Sequence, residues 1–304
     1  MFNNNSIRNT RYLKLAVLSL ATWLGANLIA VQSANAVAIR ADAGFLSSTL
    51  AANDDGSTGP VPFGFTVNFF GVTRTGGWVN NNGNLTMDAP LSTFTPFPLL
   101  STSREILAPF FGDVDTSSEG SPVTYGTSTI GGQAAFGVNW VNVDYYISNA
   151  AHTNRNSFQL VLVDRSDVAV GDFDFEFNID QVQWETGQAG SSGGDGNGRG
   201  GSCARVGWSN GVAANSFELP GSGVCGSFLD SGTPAVIPGS LALFNHELNS
   251  NLAIDSGGAS TLGRYMFQVR NGVVITPPPP TPVLEPGSLA LMFLGLGLCG
   301  LARR

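Results

Sequence analysis

Between residues 172 and 179 apolar and polar side chains alternate without a break: Phe173, Phe175, Phe177 and Ile179 against Asp172, Asp174, Glu176 and Asn178. Successive side chains of a strand point to opposite faces, so this segment predicts a strand of an antiparallel sheet, with phenylalanines in the core and carboxylates in water. Phe136, Val138 and Trp140 alternate in the same way, and the phase then slips to Val141, Val143 and Tyr145. A slip inside one strand predicts a β-bulge, because an unrelieved shift would turn every later side chain to the wrong face. The run 158–163 is continuously β-prone, as expected of a strand covered on both faces. Asn82-Gly83-Asn84, set between Trp78-Val79 and Leu85-Thr86-Met87, predicts a tight hairpin. A faint helical period occurs at 241–248. The expectation for residues 37–276 is an all-β, antiparallel β-sandwich-like domain.

The two ends are patterned differently. Arg8, Arg11 and Lys14 precede a mostly apolar stretch at 15–31, and Ala34-Asn35-Ala36 follows. This is the layout of a secretory signal helix over residues 1–36, cleaved at the small-x-small site Ala34/Ala36. The alternative, an uncleaved anchor, is disfavoured by Thr22 and Asn27 within the run. Residues 277–282 form a proline-rich spacer, stiff and extended. Segment 283–304 then carries Glu285-Pro286, a short apolar helix and Arg303-Arg304. As a helix, 287–302 spans ~24 Å against a hydrocarbon core of ~30 Å. That suits a transient inner-membrane anchor, held by arginines on the cytoplasmic side.

Composition narrows the function classes. Of 304 residues only 12% are charged, 39 are Gly and 16 are Pro, which disfavours a helix-rich fold. The 42% apolar content is enough to fill a core. A formal charge of −8 argues against nucleic-acid partners, which need a basic face. Lys14 is the single lysine; residues 37–282 hold nine arginines against 21 carboxylates. Such a surface repels acidic polymers unless a divalent cation bridges them.

Four motifs carry candidate chemistry. Gly207-Trp208-Ser209-Asn210-Gly211 fits the nucleophile-elbow pattern, but no amphipathic helix follows and only His152 and His246 could act as base; a strand ending in an Asn-Gly turn is the better reading. Asp113 and Asp115, two apart on an extended segment, could ligate Ca²⁺ with Glu119 as a further ligand, or could bond to backbone amides of the next turn. Asp195-Gly196-Asn197 opens like a calcium loop, yet Val206 occupies the twelfth position, which leaves a flexible glycine loop. The row Asp172, Asp174 and Glu176 reads as a solvated strand face rather than as glycosidase acids. No cofactor other than Ca²⁺ is expected. With Cys299 in the terminal helix, Cys203 and Cys225 remain as an even pair in an oxidising compartment, where a disulfide is favoured.

Two stretches carry family resemblances. The segments 77–86 (Gly77-Trp78-Val79-Asn80-Asn81-Asn82-Gly83-Asn84-Leu85-Thr86) and 106–115 (Ile106-Leu107-Ala108-Pro109-Phe110-Phe111-Gly112-Asp113-Val114-Asp115) resemble NIDO domains, the extracellular modules named from nidogen. Similar segments continue in order through 158–162, 175–178, 183–187, 204–211 and 219–223 to Gly263-Arg264-Tyr265-Met266-Phe267, so the resemblance spans about 60–270. The tail is similar to the PEP-CTERM sorting signal, although Leu284 stands at the motif's first proline. Together these imply a protein of an exopolysaccharide-producing Gram-negative bacterium, cut by an exosortase-type protease and shown at the cell surface or released. The function they imply is non-enzymatic adhesion to an extracellular matrix polymer, polysaccharide or surface protein. The alternative is a carbohydrate-binding, calcium-assisted or glycan-active domain, in which Trp78, Trp208 and the asparagines 80–84 and 210 could meet the sugar, although core positions are the better reading of the two Trp side chains.

Overall fold

Fourteen strands make up the described part of the computed structural model: β1 Ser48–Thr49, β2 Val61–Phe69, β3 Val72–Asn80, β4 Asn84–Thr86, β5 Glu105–Phe111, β6 Val114–Gly120, β7 Thr124–Ile130, β8 Gln133–Tyr145, β9 Asn156–Asp164, β10 Phe173–Val182, β11 Arg205–Asn210, β12 Ser216–Glu218, β13 Arg264–Arg270 and β14 Val273–Ile275. The residues described are 37–147, 153–188, 191–230, 243 and 261–275. The signal segment with Ala34 and Ala36, His152, His246, the 241–248 period (Leu243 apart), the proline spacer, Glu285, Pro286, Arg303 and Arg304 lie outside them. Among the described residues no helix is long and apolar enough to cross a membrane.

The strands form two antiparallel sheets, as the alternation predicts. One runs β1-β7-β8-β9-β10-β13-β14 with β6 also paired to β8; the other runs β12-β11-β5-β4-β3-β2. Phe173, Phe175, Phe177 and Ile179 of β10 point between the sheets, with Trp140, Phe158, Leu160, Val79, Leu107 and Phe110 in the same core. The phase slip in β8 is a bulge at Asn142, which has φ 58° and lies where the register with β9 shifts between Val141 and Val143. Val143 and Tyr145 therefore return to the core. Strand β9 is buried on both faces: Leu160 and Leu162 enter the main core, while Val161 and Val163 pack with Phe45 and Met266 on the outer side.

That outer side overturns the expectation of a solvated carboxylate row. Asp172, Asp174 and Glu176 are all buried. Segment 38–47 runs across the sheet as a strap and covers Glu176, while Asp172 accepts from Asn271 N in the turn after β13. Arg40 donates to both oxygens of Glu176 at 2.7 and 2.8 Å, and Gln159 exchanges hydrogen bonds with the Arg40 backbone. Asn139 donates to the Phe45 carbonyl, and Arg264 to that of Ala38. Asp174 is held by Arg165 and Arg270. Gly137 makes the strap's seat, because a Cβ there would enter the Phe45 ring.

At one end of the sandwich three turns lock together: Asn68 N donates to Gly171 O, and Phe70 N to Gly272 O. At the far end of β3 lies the predicted hairpin, closed by the Asn80–Asn84 pair with Gly83 at φ 74°. Cys203 and Cys225 are joined by a disulfide, with Cα atoms 5.3 Å apart.

Candidate functional site

The β3–β4 turn holds four asparagines, 80, 81, 82 and 84, none of which reaches solvent. Each is used internally. Asn80 accepts from Ser57 Oγ and Leu91 N and donates to Asn84 and Thr86. Asn81 donates to the carbonyls of Asp54 and Val114 and accepts from Thr116 Oγ1. Asn82 accepts from Val114 N and donates to the Asp55 carboxylate and the Thr93 carbonyl. These amides are the clasp that fastens the 53–57 loop and the start of β6 to the turn, so the reading of 80–84 as a glycan-contacting loop is corrected. Trp208 is core and Trp78 is half-buried.

The clasp brings carboxylates together. One oxygen each of Asp54, Asp55 and Asp113 lies within 4.8 Å of the others. Asp113 is 1% exposed; Ser192 Oγ donates to its Oδ2 at 3.1 Å. Gly187 lies against the same carboxylate and has no room for a Cβ. Asp54 Oδ1 is buried without a hydrogen-bond partner. No arginine pairs with this trio among the described residues, whereas Glu176 and Asp144 each face an arginine and Asp174 faces two.

Their titration records the missing counter-charge. Burial, then the charges of Asp55 and Asp115, push Asp54 up to about 7. Burial also lifts Asp113 to about 7, with Asp54, Asp55 and Asp115 adding to it and the Ser192 hydroxyl opposing it. Asp55 is raised by burial, with Asn82 pulling the other way. A buried carboxylate without a cation either takes a proton or recruits an ion. The donors here are oxygens alone, without His or Cys, which selects hard cations such as Ca²⁺ over zinc or copper.

Of the sequence candidates, Asp113 is in this trio. Asp115 lies close enough to raise its neighbours' pKa, but its Oδ1 accepts from Ser117 N and Oγ at 2.7 and 2.6 Å, the amide-bonding alternative. Glu119 pairs with Arg155 instead of joining the cluster. Asp54 and Asp55 were missed; their only signal is the turn-like run Asn53-Asp54-Asp55-Gly56. Asp195 folds its own loop, accepting from Asn197 N and Arg199 N, and Tyr145 OH donates to Gly196 O within it. Ser209 is buried in β11 with Oγ accepting from Gly211 N at 3.0 Å, and a three-residue 3₁₀ turn follows nearby rather than a helix. It is a strand end, as expected, and not an elbow.

The model of the family described as NIDO related matches residues 33–200, more than half of the chain and including every residue of the clasp and the trio. The chain belongs to the NIDO-related family. Alpha-tectorin of Mus musculus is similar to it, 35% identical over 193 residues that cover 56% of this chain and 8% of the relative. Alpha-tectorin of Gallus gallus is 33% identical over 192 residues, with 56% and 9% covered. The NIDO-related chain thus spans less than a tenth of the length of these relatives. No solved structure matches it.

Proposed function

We propose that this NIDO-related protein is an exported, matrix-facing adhesion domain that binds an extracellular polymer without turning it over, through Ca²⁺ held by Asp54, Asp55 and Asp113. The observation that carries the reading is the trio itself: three carboxylates gathered by a buried asparagine clasp, with no cation among the described residues to offset them. A bound Ca²⁺ takes six to eight oxygens, and would offer the positions these side chains do not fill to oxygens of the polymer. The family resemblance supports an extracellular place of work, and the signal and sorting segments support export by a Gram-negative cell with exosortase-type processing and transient inner-membrane anchoring. The non-catalytic half of the reading is supported by Ser209, whose hydroxyl is buried and bound to the next turn.

The test combines terbium luminescence or calorimetry with Ca²⁺ and a pull-down by matrix from the producing strain, with and without EDTA, with product analysis of the incubated matrix. Saturable cation binding and EDTA-sensitive retention are expected. Depolymerised products absent from protein-free controls would overturn the non-enzymatic reading, and retention indifferent to EDTA would overturn the role of the cation.

A further inference from the structure

Asp180 sits where β10 loses register with β9: Ile179 faces Phe158 and Gln181 faces Ser157, leaving Asp180 as the extra residue of a bulge. Bulges re-aim the side chain they carry, and this one serves the strap. The Asp180 carboxylate accepts from Ala38 N at 2.7 Å and from Ile39 N at 3.3 Å. Burial raises its pKa against the pull of both amides and of Arg264. The charged groups around it are Arg264 on β13, Arg40 on the strap and Glu176 on β10. Arg40 forks onto Glu176, while Arg264 donates to Ala38 O and Asn178 Oδ1 and lies 3.9 Å from Glu176. The strap therefore begins on a carboxylate served chiefly by neutral amides.

Ala38 is 1% exposed and Val37 67%. Consecutive backbone nitrogens are no more than about 3.6 Å apart, so Val37 N lies within ~6.3 Å of the Asp180 carboxylate, a range in which opposite charges interact. In the precursor that nitrogen is an amide. Hydrolysis of the 36–37 bond by a signal-type endopeptidase places a water's hydroxyl on the Ala36 carbonyl carbon and its hydrogen on Val37 N. The resulting amine takes a further proton from solvent below its pKa of ~7.7–8.0. We infer that the Val37 α-ammonium created by signal removal is the counter-charge of Asp180, so that processing fastens the strap over the outer face of the sheet.

From residue 37 onward the chain has no lysine, so amine-reactive acylation followed against pH reads the α-amine alone. In exported, processed protein, N-terminal sequencing should give Val37. The α-amine should titrate about half a unit to one unit above its ordinary value and return to it in Asp180→Asn. An amine whose pKa is raised on folding stabilises fully below the unfolded value and loses that effect as pH passes the folded value. Acetylating the wild-type terminus should thus lower Tm by roughly 2–4 °C at pH 6.5 and leave it unchanged at pH 10. The acetylation comparison stands even if Asp180→Asn fails to fold. An N-terminus elsewhere, or an α-amine of ordinary pKa whose acetylation leaves Tm unmoved, overturns the inference.

Discussion

Asp113 is buried beside two other carboxylates, and on the proposed function a bound cation shares its charge. Asp113→Asn is expected to abolish terbium luminescence. It should also raise Tm in EDTA at pH 8, because one of three mutually repelling buried charges is gone. With Asp54 and Asp113 both titrating near 7 in the absence of cation, protons compete with calcium. Apparent affinity should fall by roughly tenfold or more between pH 8 and pH 6, as calorimetry at the two pH values would show. Asp230 gives a cation-independent counterpart. Its Oδ2 accepts from Val182 N, its Oδ1 is buried without a partner, and burial lifts it to about 7. Folding therefore binds a proton there that the unfolded chain releases near 3.8, so stability falls as pH rises from about 4 to 7 and then levels off. Asp230→Asn should flatten that slope and stabilise the protein at pH 8 by about 1–2 kcal/mol after allowance for partial solvation, measured by urea denaturation.

At the scale of elements, the hairpin and the strap are the two pieces on which the rest depends. Gly83 combines a positive φ with the Phe110 carbonyl at the place a Cβ would occupy. Gly83→Ala should cost at least ~2–3 kcal/mol and disperse the acidic trio, read as lost terbium binding together with a lower denaturation midpoint. Phe45→Ala should cost ~3–5 kcal/mol, because the ring fills the space above Gly137 among Ala135, Val161, Val163 and Met266. The legibility of these elements in the sequence follows from their physics. The alternation in β10, the phase slip at Asn142 and the Asn-Gly turn are local, and each appears as expected. The carboxylate row was misjudged because alternation distinguishes polar from apolar faces and nothing more. Whether a polar face meets water depends on partners brought in from elsewhere in the chain: Arg40 reaches Glu176 across 136 positions, and Asn271 N reaches Asp172 across 99. Asp54 and Asp55 were hidden for the same reason: the amides of Asn81 and Asn82 and the Thr116–Asn53 hydrogen bonds bring them to Asp113, and the buried role of those asparagines looks, in sequence, like that of any turn asparagine.

For the molecule as a whole, the disulfide closes the connection after β10, tying Cys203 to Cys225 across 22 positions. Replacing both by Ser should cost ~3 kcal/mol in the chain-entropy model, seen as a lower urea midpoint. The locked turns and the acidic trio occupy opposite poles, separated by the length of β3, nine residues or roughly 27 Å. Strand β14 starts beside the Asn271-Gly272 turn and runs only three residues, so the chain leaves Ile275 near the pole of the locked turns. On the proposed function, a protein fastened through that end is held like a torch by its base: the handle is at the turns, and the face with the acidic trio is the lamp, aimed away from the point of attachment.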